Sequence, residues 1–226
     1  MTEIIRDGDV VLLQFDAGEN RFTPALLDQI DDTLAHVEAH VADAGGPIAM
    51  VTTGSGKFFS NGLDLDWMMA NQDLAGENLS RVHAAFARVL RAPCITVAAL
   101  NGHAFAGGAM LALAHDFRVM RADRGYVCLP EVDLGMPFTD GMRELITARL
   151  APQAAHEAMV TGRRYTGPDA QAAGLVDSTV AEDRVLPEAI EFAASLAAKA
   201  GAALATIRSD MYRPALAALD AEVARR

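Results

Sequence analysis

Continuous apolar runs along the chain predict strands that are buried on both faces. Three such runs occupy residues 10–15, 47–52 and 95–100, and each has the length of a strand rather than of a helix. Residues 117–120 and 126–129 add two shorter strands on either side of a turn. Because these strands alternate with helical segments, the order is typical of an α/β domain with a parallel sheet.

Helical periodicity fills the intervals between these runs. Thr23-Pro24 predicts a helix start, with threonine as the N-cap and proline as the first helical residue, and apolar residues then recur on one helix face. A second amphipathic helix is predicted over residues 78–91, and the polar segment 72–77 before it is expected to be a loop. Residues 109–114 are apolar all round, which indicates a buried helix.

The composition changes beyond Glu182, where the chain becomes rich in alanine. Two helices are predicted there, over residues 186–199 and 203–223. The sequence is therefore divided into a core domain, residues 1–182, and a C-terminal helical region, residues 183–226. A helical tail that cannot bury its apolar face alone is expected to pack on another subunit.

Length and charge limit the classes of function. The chain has 226 residues, of which 51% are hydrophobic, and a formal net charge of −11, so one large domain is expected. An acidic chain is a poor ligand for nucleic acid phosphates, and no apolar run has the length of a membrane span. Cys94 and Cys128 both lie in apolar runs and are expected to be buried, reduced thiols.

The chemistry-bearing residues follow two glycine turns. Gly107-Gly108 stands between a strand and the buried helix, where free N–H groups at a helix N-terminus suit a developing oxyanion. A second turn of this kind, residues 54–62, also follows a strand. Glu131 is a lone carboxylate at the end of an apolar run, a setting that raises a pKa as a general base requires.

Three segments of the sequence resemble motifs of the crotonase (enoyl-CoA hydratase/isomerase) superfamily. Residues 59–65, FSNGLDL, resemble its FxxGxDL segment; residues 101–109, NGHAFAGGA, resemble NGxAxGGG; and residues 130–135, PEVDLG, resemble PEhxLG. The resemblance covers about residues 8–180. Further residues make the chain resemble most the Δ3,Δ2-enoyl-CoA isomerases of the plant peroxisomal type: His103, His115-Asp116, the segment 121–125 and Met136-Pro137.

The resemblance implies a fold, a substrate and an assembly. The fold is the α/β crotonase (ClpP/crotonase-like) fold of repeated ββα units, with C-terminal helices that build a homotrimer or a dimer of trimers. The substrate is an acyl-CoA thioester, and the reaction uses neither a cofactor nor a metal ion. Neither nucleic acid nor membrane is expected as a partner.

The resemblance also assigns site residues one by one. The oxyanion donors map to the backbone N–H groups of Leu63 and Gly107, and Glu131 falls on the catalytic glutamate. Contacts to CoA or substrate are implied for a further set: Lys57, Ser60, Asn61, Gly62, Leu65 and Gly108.

The departure from the hydratase pattern favours isomerisation of 3-enoyl-CoA to trans-2-enoyl-CoA in fatty-acid β-oxidation. Hydratases place a second glutamate where this chain has Met110, so a water nucleophile lacks a second base. Two alternatives stay open: an enoyl-CoA hydratase or other CoA-thioester lyase, and a non-catalytic acyl-CoA-binding subunit.

Asp140 and the chain ends leave smaller questions. Asp140 is a possible second acid, as in dienoyl-CoA isomerases, but the N-cap of the helix that starts at Met142 is the favoured interpretation. Polar residues interrupt the start of the chain, and its end is not a peroxisomal Ser-Lys-Leu signal. The expected compartment is therefore a cytoplasm, and a bacterial one.

Overall fold

The structure is a computed structural model that describes residues 5–224. The expectations about a leader and a targeting signal concern the two ends of the chain, where residues 1–4 and 225–226 lie outside the described residues. The described strands are β1 (Ile5–Asp7), β2 (Val10–Phe15), β3 (Arg21–Phe22), β4 (Ala49–Gly54), β5 (Phe58–Ser60), β6 (Gly62–Leu63), β7 (Ile95–Leu100), β8 (His103–Phe105), β9 (Phe117–Arg121), β10 (Val127–Cys128) and β11 (Ser178–Val180).

Helices separate most of these strands, as the alternating pattern predicts. The described helices are α1 (Pro24–Ala42), α2 (Leu65–Ala70), α3 (Gln72–Leu90), α4 (Gly107–Ala114), α5 (Asp140–Arg149), α6 (Pro152–Thr161), α7 (Gly167–Ala172), α8 (Val185–Leu196), α9 (Ala202–Met211) and α10 (Arg213–Ala224). Short 3-10 helices cover Pro130–Val132, Glu182–Arg184 and Ala197–Lys199.

The main sheet has six strands in the order β1-β2-β4-β7-β9-β11. Only β1 runs antiparallel to its neighbour; the other pairs are parallel. One face of this sheet packs on α1, α3 and α4, and the other face is covered by α8. Because both faces are covered, the central strands are apolar without alternation, which is the pattern seen in the sequence.

Two smaller sheets stand beside the main one and position the site. Strands β10, β8 and β5 form a parallel three-stranded sheet, and β3 pairs with β6 in parallel. The chain leaves β8 directly into α4 and leaves β10 directly into the 3-10 helix that holds Glu131. Parallel strands end at the same edge, so these two connections emerge side by side.

Two of the predicted boundaries are wrong. The segment 72–77 is not a loop, because α3 begins at Gln72; its polar residues form the exposed face of an amphipathic helix. The last helix, predicted as one element over 203–223, is interrupted at Tyr212 between α9 and α10. Pro214 cannot continue the backbone hydrogen bonding of a preceding helix, which explains a new start there.

Helix α10 buries its apolar face within the same chain. Ala215, Leu216 and Leu219 of α10 are buried, and α10 packs against α3 and α5. Gly141 allows this approach, because a Cβ atom there would lie 2.9 Å from Leu219 Cδ2. Helix α9 leaves Ile207 60% and Met211 67% exposed, so the expectation that this tail packs on a second subunit stays a prediction, and so does the trimer.

A buried arginine ties α9 to the sheet. The Arg208 guanidinium donates to the carbonyl oxygens of Ala92 and Cys94 and pairs with Asp116. Asp116 in turn accepts a hydrogen bond from Thr96 N at 2.8 Å. A buried charge is stable only when it is paired and hydrogen bonded. The contacts of Arg208 therefore fix the position of α9 against the segment that leads into β7.

Other expectations concern thiols, metals and membranes. Cys94 and Cys128 are buried free thiols, as predicted. Residues 5–224 contain no group of three or more His, Cys, Asp or Glu side chains placed to hold a metal ion. Within the same residues, no single helix is long and apolar enough to cross a membrane; one bent pair, Glu182–Lys199 with Ala202–Met211, passes by length and composition.

Candidate active site

The N-terminus of α4 lies at the centre of the site. Helix α4 begins at Gly107, and all eight of its residues are buried. Ala106, the residue before it, has a φ of +49°, a left-handed conformation that a non-glycine residue adopts at a cost of about 1 kcal/mol or more. This turn directs the first N–H groups of the helix away from the helix body, where the helix dipole favours negative charge.

Gly62 brings the second glycine turn against this helix start. A Cβ atom on Gly62 would lie 2.7 Å from Gly107 N and 3.0 Å from Phe105 O, and its φ is +78°. Only glycine meets both conditions without displacing the neighbouring backbone. The backbone of Gly62, the residue before Leu63, is therefore held against Gly107, and the roles of Leu63 and Gly107 as oxyanion donors stay a prediction.

Glu131 supplies a buried carboxyl group. It lies in the 3-10 helix Pro130–Val132 and is only 7% exposed. Loss of water around the carboxylate raises the pKa of Glu131 to about 7, against a smaller lowering by its own backbone N–H. Its Oε2 atom is buried and accepts no hydrogen bond from any residue described. A carboxylate with one unpartnered oxygen and this pKa is suited to exchanging protons near neutral pH.

A single cavity joins these groups. Its volume is about 510 Å³, within the range of small-molecule sites. Leu63, Gly107 and Glu131 all line it, and so do two of the predicted contact residues, Asn61 and Leu65. The remaining lining residues are Arg21, Asp66, Leu79, Phe105, Ala106, Pro130, Leu134, Met136, Pro137, Thr139, Met142 and Arg164.

The comparison with known families now decides the class of protein. The sequence model described as enoyl-CoA hydratase/isomerase matches residues 7–225 of this chain. The chain belongs to the enoyl-CoA hydratase/isomerase family. The crotonase resemblance seen in the three motifs and the expected α/β crotonase fold are both confirmed.

Relatives within the enoyl-CoA hydratase/isomerase family cover nearly the whole chain. Enoyl-CoA delta isomerase 3 of Arabidopsis thaliana is 37% identical over 222 residues, which are 94% of this chain and 92% of that protein. The peroxisomal enoyl-CoA delta isomerase 2 of the same plant is 36% identical over 224 residues, with the same two coverages. Among solved structures, the apo enoyl-CoA isomerase of Mycobacterium tuberculosis has a TM-score of 0.87 at 26% identity, covering 98% of this chain and 95% of that one.

Four predicted contact residues of this family member lie outside the cavity lining. Ser60 is fully buried, and its hydroxyl donates to Asn20 O at 2.7 Å and accepts from Gly62 N at 3.2 Å. These two hydrogen bonds stabilise the glycine turn at Gly62 on the side away from the cavity. Gly108 makes room for that turn, since a Cβ atom on it would lie 2.2 Å from Ser60 O. Gly62 acts in the same way through its closeness to Gly107. Lys57 is exposed and does not line the cavity.

Asp140 has neither of the roles expected for it. Its carboxylate is 53% exposed and pairs with Arg143 at 2.8 Å, and it does not line the cavity. The N-cap of α5 is Thr139, whose hydroxyl accepts from Met142 N at 3.3 Å, so Asp140 is the first residue of the helix. Asp64, by contrast, is the N-cap of α2, because its carboxylate accepts from Trp67 N at 3.2 Å.

Sequence reasoning missed both cations of the cavity. Arg21 lines it while paired with Glu19, Asp64 and Asp66. Arg164 lines it next to Phe105, with its guanidinium 5.8 Å from the ring centroid, and forms no ion pair with the described residues. Arg164 belongs to no recognised motif. Its position is fixed by the next residue, Tyr165, which pairs with Val127 in β10.

Proposed function

We propose that this protein isomerises 3-enoyl-CoA thioesters to trans-2-enoyl-CoA. The observation that carries the proposal is Glu131, the only buried carboxylate among the described residues that line the cavity, placed in the same cavity as the start of α4. The names of the Arabidopsis and mycobacterial relatives support the same activity. Fatty-acid β-oxidation is the process proposed for it.

The reaction needs one base and one site for negative charge. Glu131 removes a proton from Cα of the 3-enoyl thioester, and the electron pair of the C–H bond moves into a dienolate. Backbone N–H groups of Leu63 and Gly107 are the donors proposed for the enolate oxygen, each worth roughly 3–4 kcal/mol in such a site. Glu131 then returns the same proton to Cγ, which moves the double bond into conjugation and regenerates the carboxylate.

The position of Met110 supports isomerisation over hydration. Met110 is fully buried inside α4 and does not line the cavity. Hydration requires a water molecule to be activated beside the β-carbon, and a thioether cannot accept that proton. A proton that only moves along the substrate requires no such second base.

Substrate binding is proposed to use the cavity rim rather than Lys57. Asn61, whose side chain donates to Glu19 Oε2 at 2.9 Å, and Leu65 line the cavity beside Leu63. Arg164 is the cation proposed for a CoA phosphate, because phosphate binding uses unengaged guanidinium groups. The reaction as proposed uses no cofactor, and a homotrimer is proposed as the assembly.

A paired assay tests this function. Purified protein is expected to convert 3-hexenoyl-CoA to the conjugated 2-enoyl thioester, followed by the absorbance gained on conjugation. Crotonyl-CoA in the same buffer is expected to keep its absorbance, because no second base activates water. Loss of crotonyl-CoA absorbance at a comparable rate would establish a hydratase instead. Binding of both thioesters without turnover would favour the binding-subunit alternative.

The pH profile gives a second test. The base must be ionised in the free enzyme, so kcat/KM is expected to rise tenfold per pH unit below a midpoint of about 7 and to level off above it. The sign follows from the raised pKa of Glu131, since lowering the pH protonates the base. Return from pH 5 to pH 8 should restore activity, and the circular dichroism at pH 5 should match that at pH 8, which together exclude unfolding as the cause. A midpoint near 4.5 would contradict the assignment.

A further inference from the structure

One wall of the cavity carries a polar pair that the proposed reaction does not use. Thr139, at the start of α5, is the only hydroxyl-bearing side chain among the described residues lining the cavity. Behind it, on α3, His83 is 1% exposed, with Nε2 2.9 Å from Thr139 Oγ1. The other ring nitrogen of His83, Nδ1, is buried and has no side-chain partner within residues 5–224; the ring also lies near the backbone carbonyl of Leu79 and the carboxylate of Glu222. The hydrogen bond between the two side chains is therefore the principal side-chain hydrogen bond of the ring.

The Thr139 hydroxyl can form one more hydrogen bond than the described residues around it provide. A hydroxyl donates one hydrogen bond and accepts two. Met142 N uses one acceptor position, and His83 Nε2 uses either the donor or the second acceptor position, depending on its tautomer. The third position has no partner among residues 5–224. It can offer a lone pair or, with the other tautomer, the hydroxyl proton.

The surroundings of Thr139 in the cavity are apolar. Leu79, Leu134, Met136 and Met142 line the same cavity, and Leu79 lies one helical turn before His83 on α3. A plain alkyl chain packed there displaces water from the hydroxyl and leaves its third hydrogen bond unmade. Sites that desolvate a polar group in this way discriminate against ligands that lack the matching atom.

We propose that Thr139, held by His83, is a specificity-determining residue that selects acyl groups carrying a hydroxyl or keto oxygen beyond the reacting double bond. The two tautomers of His83 let the same hydroxyl accept from a substrate hydroxyl or donate to a substrate carbonyl. This inference rests on the proposed function, because it concerns the acyl end of the same cavity.

The test compares thioesters of matched size on the full chain. One pair is 6-hydroxyhex-3-enoyl-CoA and hept-3-enoyl-CoA, and a second is 7-hydroxyhept-3-enoyl-CoA and oct-3-enoyl-CoA, so each hydroxyl is matched by a methyl group. At one of the two positions, kcat/KM is expected to favour the hydroxyl by about tenfold. A preference for methyl at both positions would overturn the proposal, whatever the variants show.

Two variants separate selection from capping. Thr139→Ser keeps both the cap and the hydroxyl and is expected to keep the preference. Thr139→Val has nearly the same shape without the hydroxyl, and the ratio of kcat/KM for hydroxyl and methyl substrates is expected to fall about tenfold. An unchanged ratio in a folded Thr139→Val protein would show that Thr139 only caps α5.

Binding of saturated analogues distinguishes a failure of this inference from a failure of the proposed function. Dissociation constants for 6-hydroxyhexanoyl-CoA and heptanoyl-CoA, and for the pair one carbon longer, are measured without turnover. The protein could bind a hydroxylated analogue more tightly and yet isomerise none of the substrates. That result would support the proposed selectivity of Thr139 and contradict the proposed isomerase activity. Isomerisation of hex-3-enoyl-CoA, with no preference for the hydroxyl in kcat/KM or in the dissociation constant, would support the isomerase activity and contradict the selectivity of Thr139.

Discussion

Glu131→Gln is expected to lower kcat for the isomerisation by about 10⁴-fold, the upper range for loss of a positioned acid–base group. Glutamine keeps the size of the side chain but accepts no proton from Cα. Because the cavity wall is otherwise unchanged, the dissociation constant for a saturated acyl-CoA should stay within a few-fold. The measurement is a 3-hexenoyl-CoA assay beside a binding titration. A variant with near-normal kcat would exclude Glu131 as the base.

Stability gives this variant an independent control. The raised pKa means that the folded protein holds the Glu131 proton more tightly than the unfolded chain, so ionisation costs the fold roughly 3 kcal/mol above pH 7. The cost is absent below the ordinary carboxyl pKa, where both states are protonated. Glu131→Gln should therefore unfold at higher denaturant concentration than the parent at pH 8, and at a similar concentration at pH 4.

Gly62→Ala is expected to lower kcat by about 10²- to 10³-fold, the range found for losing one oxyanion donor. The added Cβ atom would lie 2.7 Å from Gly107 N, so the two backbone segments must separate. A separation of a few tenths of an ångström or more misplaces both donors relative to one oxygen. The measurement is kcat for 3-hexenoyl-CoA on protein whose circular dichroism shows a retained fold.

Gly56→Ala provides the matched control for that substitution. Gly56 also has a positive φ, +64°, but nothing lies within 4 Å of its added Cβ atom. Both variants carry the backbone strain of alanine in the left-handed region, about 1 kcal/mol. Only Gly62→Ala adds the clash with Gly107, so equal activity losses in the two variants would show that strain alone, and not donor geometry, is responsible.

Local signals in the sequence were sufficient for the long strands of the main sheet and for the glycine turns and Glu131, but not for the short strands β1, β3, β5, β6, β8 and β11. The apolar runs at β2, β4 and β7 reflect strands covered on both faces, and the glycine turns reflect backbone that must approach other backbone. Glu131 was identifiable because a lone carboxylate at the end of an apolar run has few structural uses. These features depend on neighbours in the chain, which a pattern can represent.

The parts that could not be predicted depend on distant contacts. By residue type Asp140 is a better N-cap than Thr139, and only the path of the chain into α5 reverses that order. The polar segment before residue 78 looked like a loop because the face that it exposes is hydrophilic, while its buried face is completed farther along α3. Arg164 lines the cavity, and His83 contacts its lining residue Thr139, from elements that no motif connects with Glu131.

The packing of α10 has a consequence for the order in which the protein matures. Helix α10 supports α3 and α5, which contribute Leu79 and Met142 to the cavity. Synthesis proceeds from the N-terminus, so the glycine turns and Glu131 leave the ribosome while the wall that encloses the acyl chain still lacks its support. The catalytic apparatus is therefore made early and becomes a closed binding site late, when residues 213–224 have docked.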